Sequence, residues 1–165
     1  MFKSFLKFAL IVIVAQVVTY VIGGVIAQFV LGANEFYPPS PNAISYLRDP
    51  HKISMGLEII PAQALRGLLF ALVLFPFRKQ LIEMGTWAGG LLFGAIIFVI
   101  GFVAGSGGMI ESLVYFSNYP IKFAMITFVE ILIQAILMGP WVVAWIKRYR
   151  VSQETLVEQA TWNMS

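Results

Sequence analysis

The chain has 165 residues, of which 59% are hydrophobic and only 12% charged, whereas soluble domains carry about 25% charged residues. That composition excludes a water-soluble domain, and four long apolar runs with short connections leave room for one membrane domain over residues 1–165. The net charge of +3 does not indicate a nucleic-acid partner, because the basic residues gather at the ends of the apolar runs and form no phosphate-binding stripe.

The first run predicts a helix over about residues 8–31, preceded by Lys3 and Lys7. It is too long for the h-region of a secretory signal, which is about 7–15 residues, so it reads as an uncleaved first span. At 100° per residue, Gln16, Thr19, Tyr20, Gly23 and Ala27 share one face, suited to contact with other helices. The valines and isoleucines elsewhere suit lipid.

Residues 32–56 form a polar outer loop in which Pro38, Pro39 and Pro41 deny regular hydrogen bonding. Ser40 followed by Pro41 fits the start of a short helix. Ile44 and Leu47 would give that helix an apolar edge to lay on the membrane surface. The second span is expected over residues 57–77, with Pro76 marking its exit and a tight turn from Arg78 to Gly85.

Near the middle of that span sits Arg66. An arginine at the centre of a membrane helix costs about 2.5–3.5 kcal/mol on insertion scales, so it calls for a partner. Gln63 lies one turn before it, and Glu58 marks the helix entrance.

The third span, residues 86–105, is nearly devoid of polarity. Gly90, Gly94, Gly101 and Gly105 fall within about 60° on a helical wheel, a small-residue stripe that lets two backbones approach closely. It serves either as a seam inside one bundle or as a face toward a second copy or another membrane subunit. Residues 106–120 form the second outer loop, with interfacial aromatics and one acid, Glu111.

The fourth span, residues 121–146, places Thr127, Glu130, Gln134 and Met138 on one face, with Pro140 positioned to kink it. Trp141 and Trp145 precede Lys147, Arg148 and Arg150, and residues 147–165 form a polar tail.

Lys3 and Lys7, Arg78 and Lys79, and the cluster after Trp145 share one side if the chain crosses four times. The positive-inside rule then places both termini in the cytoplasm. The expected fold is an all-α integral membrane protein, an antiparallel four-transmembrane-helix bundle, in a bacterial or archaeal cytoplasmic membrane.

With that topology Arg66 and Glu130 lie equally deep, about 13 Å below the outer edge by helix rise. An Arg66–Glu130 ion pair is therefore expected, with Gln63, Gln134, Thr127 and Tyr20 as hydrogen-bonding neighbours. Glu58 and Glu111 are candidate entrance residues. The cluster is either structural glue between helices or a site for a small polar or anionic solute, or for protons.

The chain has no cysteine and a single histidine, His51. This excludes disulfide, thiol and iron–sulfur chemistry, and any metal or haem site needing two imidazoles from one chain. The spans lack the serine–histidine pair, aspartate pair or zinc motif of intramembrane hydrolysis, so no catalytic residue, metal or cofactor is assigned. Two function classes remain, a solute-binding or transport protein and a non-catalytic accessory or assembly subunit. A lipid-directed enzyme using the glutamates is the weaker third.

Overall fold

The computed structural model describes residues 2–44, 47, 49–103 and 120–162. Gly105, the second outer loop with Glu111, and the last residues of the tail lie outside that set. The described chain is helical, with no strand among the described residues. Helix α1 spans Phe2–Phe29, α2 Ile60–Leu74, α3 Arg78–Glu83, α4 Thr86–Val103 and α5 Ile121–Trp162. Three helical stretches, Phe2–Phe29, Gly56–Glu83 and Ile121–Tyr149, are long and apolar enough to cross a membrane. The apolar helix of Thr86–Gly101 is shorter.

Several boundaries differ from the sequence expectation, each for a local reason. Helix α1 starts at Phe2, because lysine is a good helix former and does not end a helix. The second stretch opens with a wide π turn, Met55–Ile59, before α2. It does not stop at Pro76. The chain tightens through Phe75–Phe77 and continues as α3 to Glu83, since a proline in the first turn of a new segment forfeits no hydrogen bond.

The turn to α4 shrinks accordingly to Met84 and Gly85. Met84 N–H donates to the Gln80 carbonyl at 3.0 Å and Gly85 N–H to that of Ile82 at 3.1 Å. Gly85 takes φ +86°, a left-handed conformation that glycine adopts at little cost. Helix α5 in turn runs through Pro140 and on to Trp162 as one helix, so most of the expected tail is helical.

Residues 41–44 take a turn and not the start of the helix expected after Ser40, and residues 45, 46 and 48 of that stretch lie outside the described residues. Ala43 N–H donates to the Ser40 carbonyl at 3.0 Å, a turn, and Ile44 N–H returns to the Phe36 carbonyl at 2.9 Å. Ile44 is thereby buried with Ala27, Phe36, Phe123 and Ile126. The apolar edge meant for the membrane surface thus packs on the adjoining ends of α1 and α5. Lys122 pairs with Glu35 beside it, and the Phe36 and Phe123 rings lie 5.3 Å apart.

Helix α1 packs against α2 and α5, and α4 packs against α5. The main core lies toward the α3 end and includes Phe8, Val12, Leu74, Phe93, Met138 and Val142. Its glycines decide how close the helices come. A Cβ on Gly67 would sit 2.8 Å from Ile13 Cα, one on Gly90 2.5 Å from Pro140 Cα, and one on Gly94 2.4 Å from the Ala135 carbonyl oxygen. Gly90 and Gly94 therefore close on α5 within this chain.

Polarity is arranged opposite to that of a water-soluble helical protein. Gln16, Thr19 and Gln134 are only 1%, 1% and 6% exposed, while Leu10, Val25, Leu65, Leu69 and Leu72 lie on the outside. A surface of that kind belongs against lipid.

Candidate functional site

Arg66, Gln63, Glu130, Gln134, Thr127 and Tyr20 were expected to form one cluster. The structure keeps Tyr20, Arg66, Glu130 and Gln134 within Coulombic or hydrogen-bonding reach of one another, while Gln63 and Thr127 bond elsewhere. Gln63, on the α1-facing side of α2, accepts a hydrogen bond at 2.9 Å from Gln16 Nε2. Gln16 was not among the expected site residues. Its place on the same face as Thr19 and Gly23 is the signal that marks it.

Glu130 and Gln134 are one helical turn apart on α5. Gln134 Nε2 donates to Glu130 Oε1 at 3.1 Å. Both side chains lie over Gly23 of α1, where a Cβ would sit 3.0 Å from Gln134 Cγ and 3.3 Å from Glu130 Cγ. The missing side chain at Gly23 makes the recess that holds them. Tyr20 is half-buried, within Coulombic reach of both Glu130 and Arg66.

Thr127 does not join this group. Its hydroxyl donates to the Phe123 carbonyl of its own helix at 3.0 Å, and Thr19 does the same to Ala15 at 2.7 Å. Such back-bonding satisfies a hydroxyl in an apolar setting without a second helix.

Arg66 does not form the expected ion pair with Glu130. No nitrogen–oxygen distance between them falls within 4.0 Å, although Glu130 lies within Coulombic reach of the guanidinium. The side chain runs instead toward α4, where Nη2 lies 3.3 Å from the Cβ position of Gly101. Its Cζ is 5.8 Å from the Phe70 ring centroid. A side chain at residue 101 would crowd that reach.

Every buried side-chain nitrogen and oxygen among the described residues has a hydrogen-bond partner. Arg66 is half-buried and makes no hydrogen bond or ion pair among the described residues, with its guanidinium lying beside the buried Gly101.

Glu58 lies exposed on the π turn that opens the second stretch, while Glu111 falls outside the described residues. Among the described residues no three His, Asp or Glu side chains gather into a possible metal site. No family model, curated protein or solved structure matches the chain.

Proposed function

We propose that this chain is a four-span membrane protein, a single antiparallel bundle that binds a small anionic solute at Arg66 and passes it across the membrane. Helix α4 has 18 residues and at about 1.5 Å per residue extends close to the thickness of a bilayer core, so it serves as the remaining span. Lys3, Lys7, Arg78 and Lys79 line one cavity at one end of the molecule. By the positive-inside rule that end is cytoplasmic, as are both termini, in a bacterial or archaeal cytoplasmic membrane.

The observation that carries the reading is a guanidinium left without an ion-pair or hydrogen-bond partner among the described residues. Arginine keeps its proton and presents a planar fork suited to carboxylate or phosphate oxygens. Among the described residues that fork has no carboxylate at contact distance, yet Glu130 is near enough to compete for it. A bound anion would take the fork by two hydrogen bonds. Glu130, held by Gln134 over Gly23, would supply counter-charge when the anion leaves, so that binding is strong enough to admit the solute and weak enough to release it.

The reading is tested by anion flux into proteoliposomes, with chloride, inorganic phosphate and acetate as probes. Saturable flux of at least one probe is expected above empty liposomes, and its loss in a folded Arg66→Gln variant. Equal flux in the wild type and Arg66→Gln would remove the proposal.

A second reading, a non-catalytic accessory or assembly subunit, draws on α5, which continues as helix from Tyr149 to Trp162 beyond the apolar stretch. A partner would then meet that extension, since Gly90 and Gly94 are already taken up against α5.

A further inference from the structure

The end of the molecule away from Arg66 holds a feature that the solute site does not use. A cavity of about 600 Å³ lies there among α1, α3 and α5. Lys3 and Lys7 of α1 and Arg78 and Lys79 of α3 line it, with Glu83 as the one carboxylate among the described lining residues. None of these four cations is ion-paired among the described residues, whereas Lys122 at the other end is paired with Glu35.

Two of the cations are held in place by other means. Arg78 Nη1 donates to the Phe75 carbonyl at 2.9 Å, and its guanidinium lies 3.8 Å from the Phe75 ring centroid. Lys7 Nζ lies 5.6 Å from the centroid of Tyr149, itself in the cavity lining. The described lining thus carries four cations against the single carboxylate of Glu83.

The rest of the lining has a different character. Phe8, Ile11 and Ile146 give the cavity an apolar wall, and Phe8 and Ile11 belong to the buried core. Charge at the rim and hydrocarbon behind it, where apolar helices end, match an amphiphile whose phosphate sits at headgroup depth. The volume lies within the range of about 300–1,000 Å³ typical of ligand sites, enough for a headgroup and the first carbons of its chains.

We infer that this cavity binds an anionic phospholipid, with its phosphodiester among Lys3, Lys7, Arg78 and Lys79 and its upper acyl carbons against Phe8 and Ile11. A zwitterionic lipid carries its own ammonium group and gains little from the cations. Free phosphate shares the charge but leaves the apolar wall unused.

The test is native mass spectrometry of the full chain in detergent with phosphatidylglycerol, phosphatidylcholine or inorganic phosphate added in turn. Phosphatidylglycerol should be retained at least about 10-fold better than phosphatidylcholine, and free phosphate should not compete at millimolar concentration. Lys7→Gln with Lys79→Gln removes two exposed cations and should erase about 10-fold of that preference, at roughly one factor of several per cation. Lys122→Gln, at the far end, should leave it unchanged. Equal retention of the two lipids, displacement by free phosphate, or an equal effect from Lys122→Gln would each overturn the inference. The wild-type comparison of lipids stands even if the double variant fails to fold.

Discussion

The two halves of α4 meet their neighbours in opposite ways. At Gly90 and Gly94 the nearest atoms to an added Cβ are backbone atoms of Pro140 and Ala135, at 2.5 and 2.4 Å. At Gly101 they are side-chain atoms, Arg66 Nη2 at 3.3 Å and Ile131 Cγ2 at 3.4 Å. One stripe of glycines thus does two jobs. Where α5 offers Gly139 and Ala135, the backbones close on each other. Where it offers Ile131, side chains lie between the helices and a cation from α2 enters. The first half packs backbone on backbone, and the second takes up side chains, the tip of Arg66 among them.

The largest expected effect is at the closed half. Gly94→Leu puts a branched side chain where only backbone is available, and should destabilise by about 3 kcal/mol or more, read from thermal unfolding in detergent. Leu91, which is 53% exposed, should tolerate Ala within about 0.5 kcal/mol. Equal tolerance of the two would erase the seam.

A sharper version compares one substitution at two places. Gly90→Ala should cost about 2 kcal/mol, because backbone must move, while Gly101→Ala should cost under about 1 kcal/mol, because an arginine tip can yield. Only Gly101→Ala should alter anion flux. If both alanines cost the same, the halves of α4 do not differ as described.

Next comes the recess over Gly23. Gln134→Leu removes the donor to Glu130 in a buried place and should destabilise by about 2 kcal/mol. A stable Gln134→Leu protein with unchanged flux would detach this pair from the site. The smallest effect belongs to the exposed Lys122–Glu35 pair. Lys122→Gln should cost under about 1 kcal/mol, and a loss of melting temperature larger than that of Gly94→Leu would mean that the loop end contributes more than the seam.

Much of this was legible in the sequence, for reasons that particular residues make plain. Helical periodicity put Gln16, Thr19, Tyr20, Gly23 and Ala27 on one face of the first helix, and the structure buries all of them but Tyr20, which is half-buried. Equal depth from helix rise placed Arg66 and Glu130 at one level, and they are within Coulombic reach of each other.

What depth could not give is azimuth. Two residues at one level need not face each other, and Arg66 points to Gly101 while Glu130 turns to Gln134 and Gly23. The same limit applied to Gln63, whose partner is Gln16 on another helix. The expected helix end at Pro76 differs from the structure, which continues as helix to Glu83 because a proline in the first turn of a new segment forfeits no hydrogen bond. Pro140, expected to kink the fourth span, lies within one continuous helix. The short helix after Ser40 failed for a tertiary reason, since burying Ile44 against Phe36 and Phe123 fixed the loop instead.

The central claim is that Arg66 holds its donors free for an anion and does not serve as one half of a structural pair. The most direct measurement is on Arg66→Met combined with Glu130→Gln, with thermal unfolding and proteoliposome flux determined on the same preparation. The variant should melt within a few degrees of the wild type and pass none of the anion that the wild type carries. A folded double variant with undiminished flux would contradict the account.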